Sequence, residues 1–165
     1  MKKTIFGIDK KKIINLFAEK KFTKISKIGN SILDYYENDI DIWKIVIVSE
    51  INLKNYFNAE KYLNKLLKKK NTSENNYLYG NVLKAQNKNK EAIEAYNQAI
   101  FLDKNFSEAY NNLANIQKKI NKSEDAIINY KKAIEKKRDN FEAYYNLANL
   151  FKSEKNYKEA ISNYK

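Results

Sequence analysis

Alanine recurs at Ala92, Ala126 and Ala160, 34 residues apart each time, and each copy brings the same neighbours. A tyrosine follows four residues later, at Tyr96, Tyr130 and Tyr164. In the first two copies another alanine follows three after that, at Ala99 and Ala133. Twelve residues before each leading alanine stands a small residue: Gly80, Ala114 and Ala148. A unit of this length holds two helices and their turns, and it is too small to bury an apolar face alone. Successive copies must therefore stack on one another.

Written out, Phe141 to Lys165 reads FEAYYNLANLFKSEKNYKEAISNYK, and Ser107 onward reads SEAYNNLANIQKKINKSEDAIINYKKAI in the same register. From Ser73 the chain reads SENNYLYGNVLKAQNKNKEAIEAYNQAI. These segments resemble the tetratricopeptide-repeat consensus, with Gly80 at its glycine position and Tyr110 and Tyr144 at its large aromatic early in the first helix. The resemblance implies an all-α, right-handed solenoid of stacked antiparallel helix pairs. Small residues such as Gly80 and Ala92 would lie where the two helices of a repeat cross, letting the backbones approach.

The pattern extends upstream. Trp43 stands sixteen residues before Ala59, as Tyr110 stands before Ala126 and Tyr144 before Ala160. Ala59, Leu63 and Leu66 carry the second-helix spacing, and Ile25, Gly29 and Ile32 fall 34 residues earlier again. The step from Ala59 to Ala92 is 33, so one residue is missing from a loop or helix end between them. Repeats are expected at about 6–39, 40–72, 73–106, 107–140 and 141–165, the first two divergent and the last truncated, within one domain spanning 1–165. The β-branched run from Ile42 to Val48 reads as a strand in isolation, but its register places it on a helix, because packing overrides propensity. Two departures stand out. Asn76 takes the place of the large aromatic in the third repeat, and Ile47 takes the place of the small residue in the second. The family's proline after the second helix is missing, since the chain has none. Asp103, Asn105, Asp139 and Asn140 are expected to end those helices by bonding their own backbone.

Composition excludes much chemistry. There is no histidine and no cysteine, so the commonest general base, thiol nucleophiles and ordinary zinc ligands are missing. With only three glycines, no glycine-rich loop cradles a phosphate. Acid pairs such as Glu124 and Asp125 fall at the start of second helices, where the helix dipole favours them. No catalytic residue, metal site or cofactor is expected. The chain without cysteine fits a reducing, cytoplasmic setting, the start MKKTIFGID is too interrupted for a signal peptide, and the longest apolar run is too short for a membrane span.

The net charge of +12 invites a nucleic-acid reading. Residues 1–72 carry 16 lysines against 8 acids, with clusters at Lys10–Lys12 and Lys68–Lys70. Arg138 is the only arginine, and arginine is what bidentate readers of bases and phosphates use, so specific nucleic-acid binding is not expected. The resemblance implies instead a concave surface, lined by first helices, that holds a peptide of another protein. Counting from Gly80, Ala114 and Ala148, that surface would present Asn81, Asn115 and Asn149, then Asn112 and Asn146, then Tyr77, Asn111 and Tyr145, and finally Lys84, Lys118 and Lys152. A row of carboxamides carries donors and acceptors for an extended backbone. It resembles the asparagine ladder of O-linked N-acetylglucosamine transferase repeats, and the lysines would favour carboxylates. The expected function is a non-catalytic scaffold for a protein or peptide. The alternatives are a targeting array ahead of a glycosyltransferase, sulfotransferase or methyltransferase domain, and a basic adaptor for RNA or a membrane surface. Because Lys165 falls inside a motif, Ile161 and Tyr164 would form an apolar edge, implying either continuation of the chain or end-to-end self-association.

Overall fold

A computed structural model describes residues 9–164; residues 6–8 of the first expected repeat and Lys165 of the last lie outside it. The chain groups into two compact units, Met1–Lys70 and Asn71–Lys165. Among the described residues there are eleven helices and no strand. The first unit holds α1 (Lys10–Ala18), α2 (Phe22–Lys27), α3 (Gly29–Tyr35), α4 (Ile40–Asn52) and α5 (Tyr56–Lys69). The second holds α6 (Ser73–Ala85), α7 (Asn89–Leu102), α8 (Ser107–Lys119), α9 (Ser123–Lys136), α10 (Phe141–Ser153) and α11 (Tyr157–Tyr164). No described helix is long and apolar enough to cross a membrane.

The backbone itself carries the repeat. Lys20, Lys54, Asn87, Asn121 and Lys155 all adopt positive φ, between 55° and 61°. Their spacings are 34, 33, 34 and 34, so each ends the first helix of one repeat in a left-handed residue. That conformation normally favours glycine; here asparagine and lysine supply it. The short step is located as well. Second and first helices are joined by residues 70–72 ahead of α6 but by 103–106 and 137–140 later, while the flanking helices keep their lengths. The missing residue is therefore in the turn between repeats two and three.

In the first unit the expected second helix of repeat one is two helices. Ile28, with ψ of 7°, both closes α2 and opens α3, which raises the expected ten helices to eleven. The anchors nevertheless fall where the spacing puts them, with Ile25 and Ile32 at most 2% exposed and Gly29 buried against Val46 and Tyr62. The run Ile42–Val48 is helical in α4 and buries Ile42, Trp43, Val46 and Ile47. Asp39 caps that helix by accepting from the Ile42 amide.

In the second unit α6 packs on α7, α8 on α9 and α10 on α11, while α7 meets α8 and α9 meets α10. One core gathers Leu83, Ala92, Tyr96, Ala99, Ala109, Tyr110 and Leu113; another gathers Ala114, Ala126, Tyr130, Leu147, Leu150 and Ala160. A β-carbon on Gly80 would lie 2.6 Å from Cε1 of Tyr96, so the small residue is what lets that ring lie across α6. The turns differ in detail from expectation. Asp103 closes α7 and accepts from the Asn105 amide at 2.9 Å, whereas Asn140 caps the start of α10. Asn76, in place of an aromatic, is 6% exposed and bonds back to Asn71 and to the Thr72 carbonyl.

Candidate functional site

The expected site residues all lie on the first helices of the second unit, α6, α8 and α10, and the structure sorts them into three groups. Asn81, Asn115 and Asn149 each accept a hydrogen bond from a tyrosine fifteen residues later on the second helix. The donors are the hydroxyls of Tyr96, Tyr130 and Tyr164, every one at 2.7 Å. Burial pushes the Tyr96 and Tyr130 hydroxyls far above the ordinary phenol range, so both remain donors. In the second repeat the equivalent positions are Val48 and Leu63, an apolar pair in place of a hydrogen-bonded one. The asparagine row and the tyrosine row were each visible in the sequence. Their shared 34-residue period was the signal that they are partners.

Asn111, Asn112 and Asn146 knit neighbouring first helices together. Asn112, 8% exposed, donates to Oδ1 of Asn81 at 2.8 Å and to the Tyr77 hydroxyl at 3.2 Å. Its own Oδ1 accepts from Nζ of Lys84 at 3.3 Å and from Asn115 at 3.5 Å. One repeat later Asn146 donates to Oδ1 of Asn111, itself 3% exposed, at 3.1 Å. These carboxamides satisfy buried polar groups between helices, a structural use the repeat spacing did not reveal.

The third group flanks the face. Tyr77 packs its ring against Tyr96 and Phe106, with centroids 6.0 and 4.8 Å apart. Its hydroxyl is pushed above the usual phenol range by burial. Lys84 is half-buried, and desolvation holds its ammonium below the usual lysine range against the opposing pull of Glu142. Lys118 and Lys152 are exposed, and Tyr145, its ring 6.0 Å from that of Tyr164 and tilted 58° to it, is 60% exposed. The face is thus closed at its α6 end, where Tyr77, Asn81, Lys84 and Asn112 satisfy one another. It is open over α8 and α10. Among the described residues no cluster of three or more acidic, histidine or cysteine side chains is placed to hold a metal ion.

Residues 80–121 and 118–154 match the family model described as the TPR repeat. Residues 80–154 are thus tetratricopeptide repeats. Solved structures of TPR proteins share its fold. MamA superposes with a TM-score of 0.84 at 18% identity, covering 95% of this chain and 91% of that one. PilF of Pseudomonas aeruginosa gives 0.79 at 17%, covering 92% and 70%. YrrB, a TPR protein with an unusual peptide-binding site, gives 0.74 at 16%, covering 93% and 79%. No curated protein matches the chain in sequence.

Proposed function

We propose that this TPR protein is a non-catalytic scaffold that holds an extended segment of another protein along α6, α8 and α10. In this reading the protein works in a reducing, cytoplasmic setting. One observation carries the proposal. Three successive first helices carry asparagine and lysine at the same two positions, three residues apart and so on one helix face, and of these Lys118 and Lys152 are exposed. A likeness in fold to YrrB, whose site binds peptide, points the same way. The basic-adaptor alternative is weakened by the lysine clusters themselves. Lys10 is paired with Asp39 at 2.6 Å and Lys69 with Glu37 at 2.8 Å, which spends part of the first unit's charge internally.

The test is capture of a partner by crosslinking in the native cell, followed by binding of its segments to wild type and to Asn149→Asp. Aspartate keeps the oxygen that Tyr164 needs and removes the amide donor. Alanine at Asn115 would instead strand the Tyr130 hydroxyl and confuse binding with stability. The reading requires that the captured segment bind more weakly to Asn149→Asp while the helical signal stays unchanged. A segment that binds both proteins equally refutes it.

A further inference from the structure

The chain is rich in lysine, and an ordinary ammonium is inert to acyl donors because only the free amine carries a lone pair. Near neutral pH the free form is roughly one part in a thousand of an exposed lysine. What separates one lysine from another is therefore its surroundings. Lys10, Lys136 and Lys137 are bonded to Asp39, Glu135 and Glu108, and those carboxylates hold the ammonium charge in place. Lys84 is the reverse case. Its nitrogen donates to Oδ1 of Asn112 at 3.3 Å and makes no ion pair among the described residues. Asn112, 8% exposed, is bonded in turn to Asn81 and to Tyr77, whose hydroxyl burial keeps protonated. The amine thus sits in a half-buried cluster of uncharged groups. Glu142 on α10 is the charged group that acts on it, from an exposed position outside ion-pair distance, and burial outweighs its pull. Lys118 and Lys152 hold the same register position on α8 and α10, but both are exposed.

We propose that Lys84 is a modification site, at which the amine takes an acyl group directly from a small acyl phosphate and does so ahead of the exposed lysines around it. The nitrogen lone pair attacks the acyl carbon, and the bond from that carbon to the phosphate oxygen breaks. Inorganic phosphate leaves with the electron pair, and the proton lost from nitrogen passes to solvent. A half-buried amine suits a small donor better than a transferase that must enclose the whole side chain. The product suits the site as well. An acylated lysine keeps one N–H, which is what the bond to Oδ1 of Asn112 requires, and no charge is left desolvated. The α6 end of the face thereby loses its positive charge, whatever the face holds, so the inference stands apart from the scaffold reading.

The whole protein is incubated with acetyl phosphate over a series of pH values, and the early acetylation rate of each lysine is read by quantitative mass spectrometry of its peptides. A parallel series is run in urea, where the fold is lost. In the folded protein Lys84 is expected to react at least about threefold faster than Lys118 or Lys152, with a rate that levels off at lower pH than theirs. In urea the three are expected to react alike. A Lys84 rate no greater than those of Lys118 and Lys152 in the folded protein overturns the inference. So does a preference that persists in urea, because local sequence rather than the buried cluster would then cause it. A fast Lys84 whose rate follows the same pH profile as the exposed lysines overturns it too, since the free amine would not be what distinguishes it.

Discussion

Gly80→Ala should destabilise this protein even though it replaces a helix-weakening residue by the best helix former. Propensity alone predicts a gain of about 1 kcal/mol. Against that, the added β-carbon would sit 2.6 and 2.7 Å from Cε1 and Cδ1 of Tyr96 and 3.0 Å from Cζ. Ordinary carbon contacts begin near 3.5 Å, so the ring must retreat by roughly 1 Å. It has little room to do so. Tyr96 is fully buried, flanked by Tyr77 with ring centroids 6.0 Å apart, and tied to Asn81 at 2.7 Å. Overpacking costs about 1–3 kcal/mol, and losing the hydroxyl bond adds about 0.5–1.5 kcal/mol. Set against the propensity gain, the net loss is about 0.5–3.5 kcal/mol. The other repeats show why alanine is accepted at Ala114 and Ala148. Beside Tyr130 the flanking position holds Asn111 rather than a tyrosine, and Tyr164 is 47% exposed and free to shift. Gly80 thus compensates for the bulk of Tyr77. Urea unfolding followed by circular dichroism measures the effect, with Ala114→Gly as the reciprocal control. A Gly80→Ala protein more stable than wild type by the full propensity gain would refute the packing account.

Tyr130→Phe removes the donor to Asn115 and should cost about 0.5–1.5 kcal/mol in the same assay, whereas no loss would mean that water replaces the bond. The Tyr96 and Tyr130 hydroxyls have folded pKa values raised above the unfolded value near 10, so the folded state binds more protons there. Their contribution is complete below about pH 10 and falls as pH rises above it, by at most about 1.4 kcal/mol per pH unit for each group. Tyr130→Phe should flatten the decline between pH 9 and 11, and an unchanged slope contradicts this. Ala126→Leu, at a fully buried crossing, should cost about 1–3 kcal/mol or more, and wild-type stability would show that the crossing is misplaced. Lys155→Gly should stabilise by about 0.5–1 kcal/mol, since φ of 61° strains any side chain, and a loss of stability would show that the turn moves.

The fold was legible because its constraints are periodic. Small residues at Gly80, Ala114 and Ala148, with the tyrosines sixteen positions on, mark the helix crossings directly. Even the 33-residue step was readable, although only the backbone placed it in the turn after Lys69. The division of α2 from α3 was not legible, because the apolar anchors Ile25 and Ile32 keep their spacing across the break. The face was half legible. The sequence put Asn81, Asn115 and Asn149 at one register position on three helices. It could not say that Asn112 and Asn111 are spent between helices, or that hydroxyls orient Asn115 and Asn149. Those facts depend on which polar groups meet across a crossing, and asparagine is frequent enough in this chain that its position alone does not say which partner it has.

The most direct measurement is a nuclear magnetic resonance titration of the isotopically labelled protein with the partner segment captured by crosslinking. The account predicts that the side-chain amide signals of Asn115 and Asn149 and the ring signals of Tyr145 shift first, with those of Asn111 and Asn112 little changed. Shifts confined to the second helices α7, α9 and α11, or to the first unit, would contradict it.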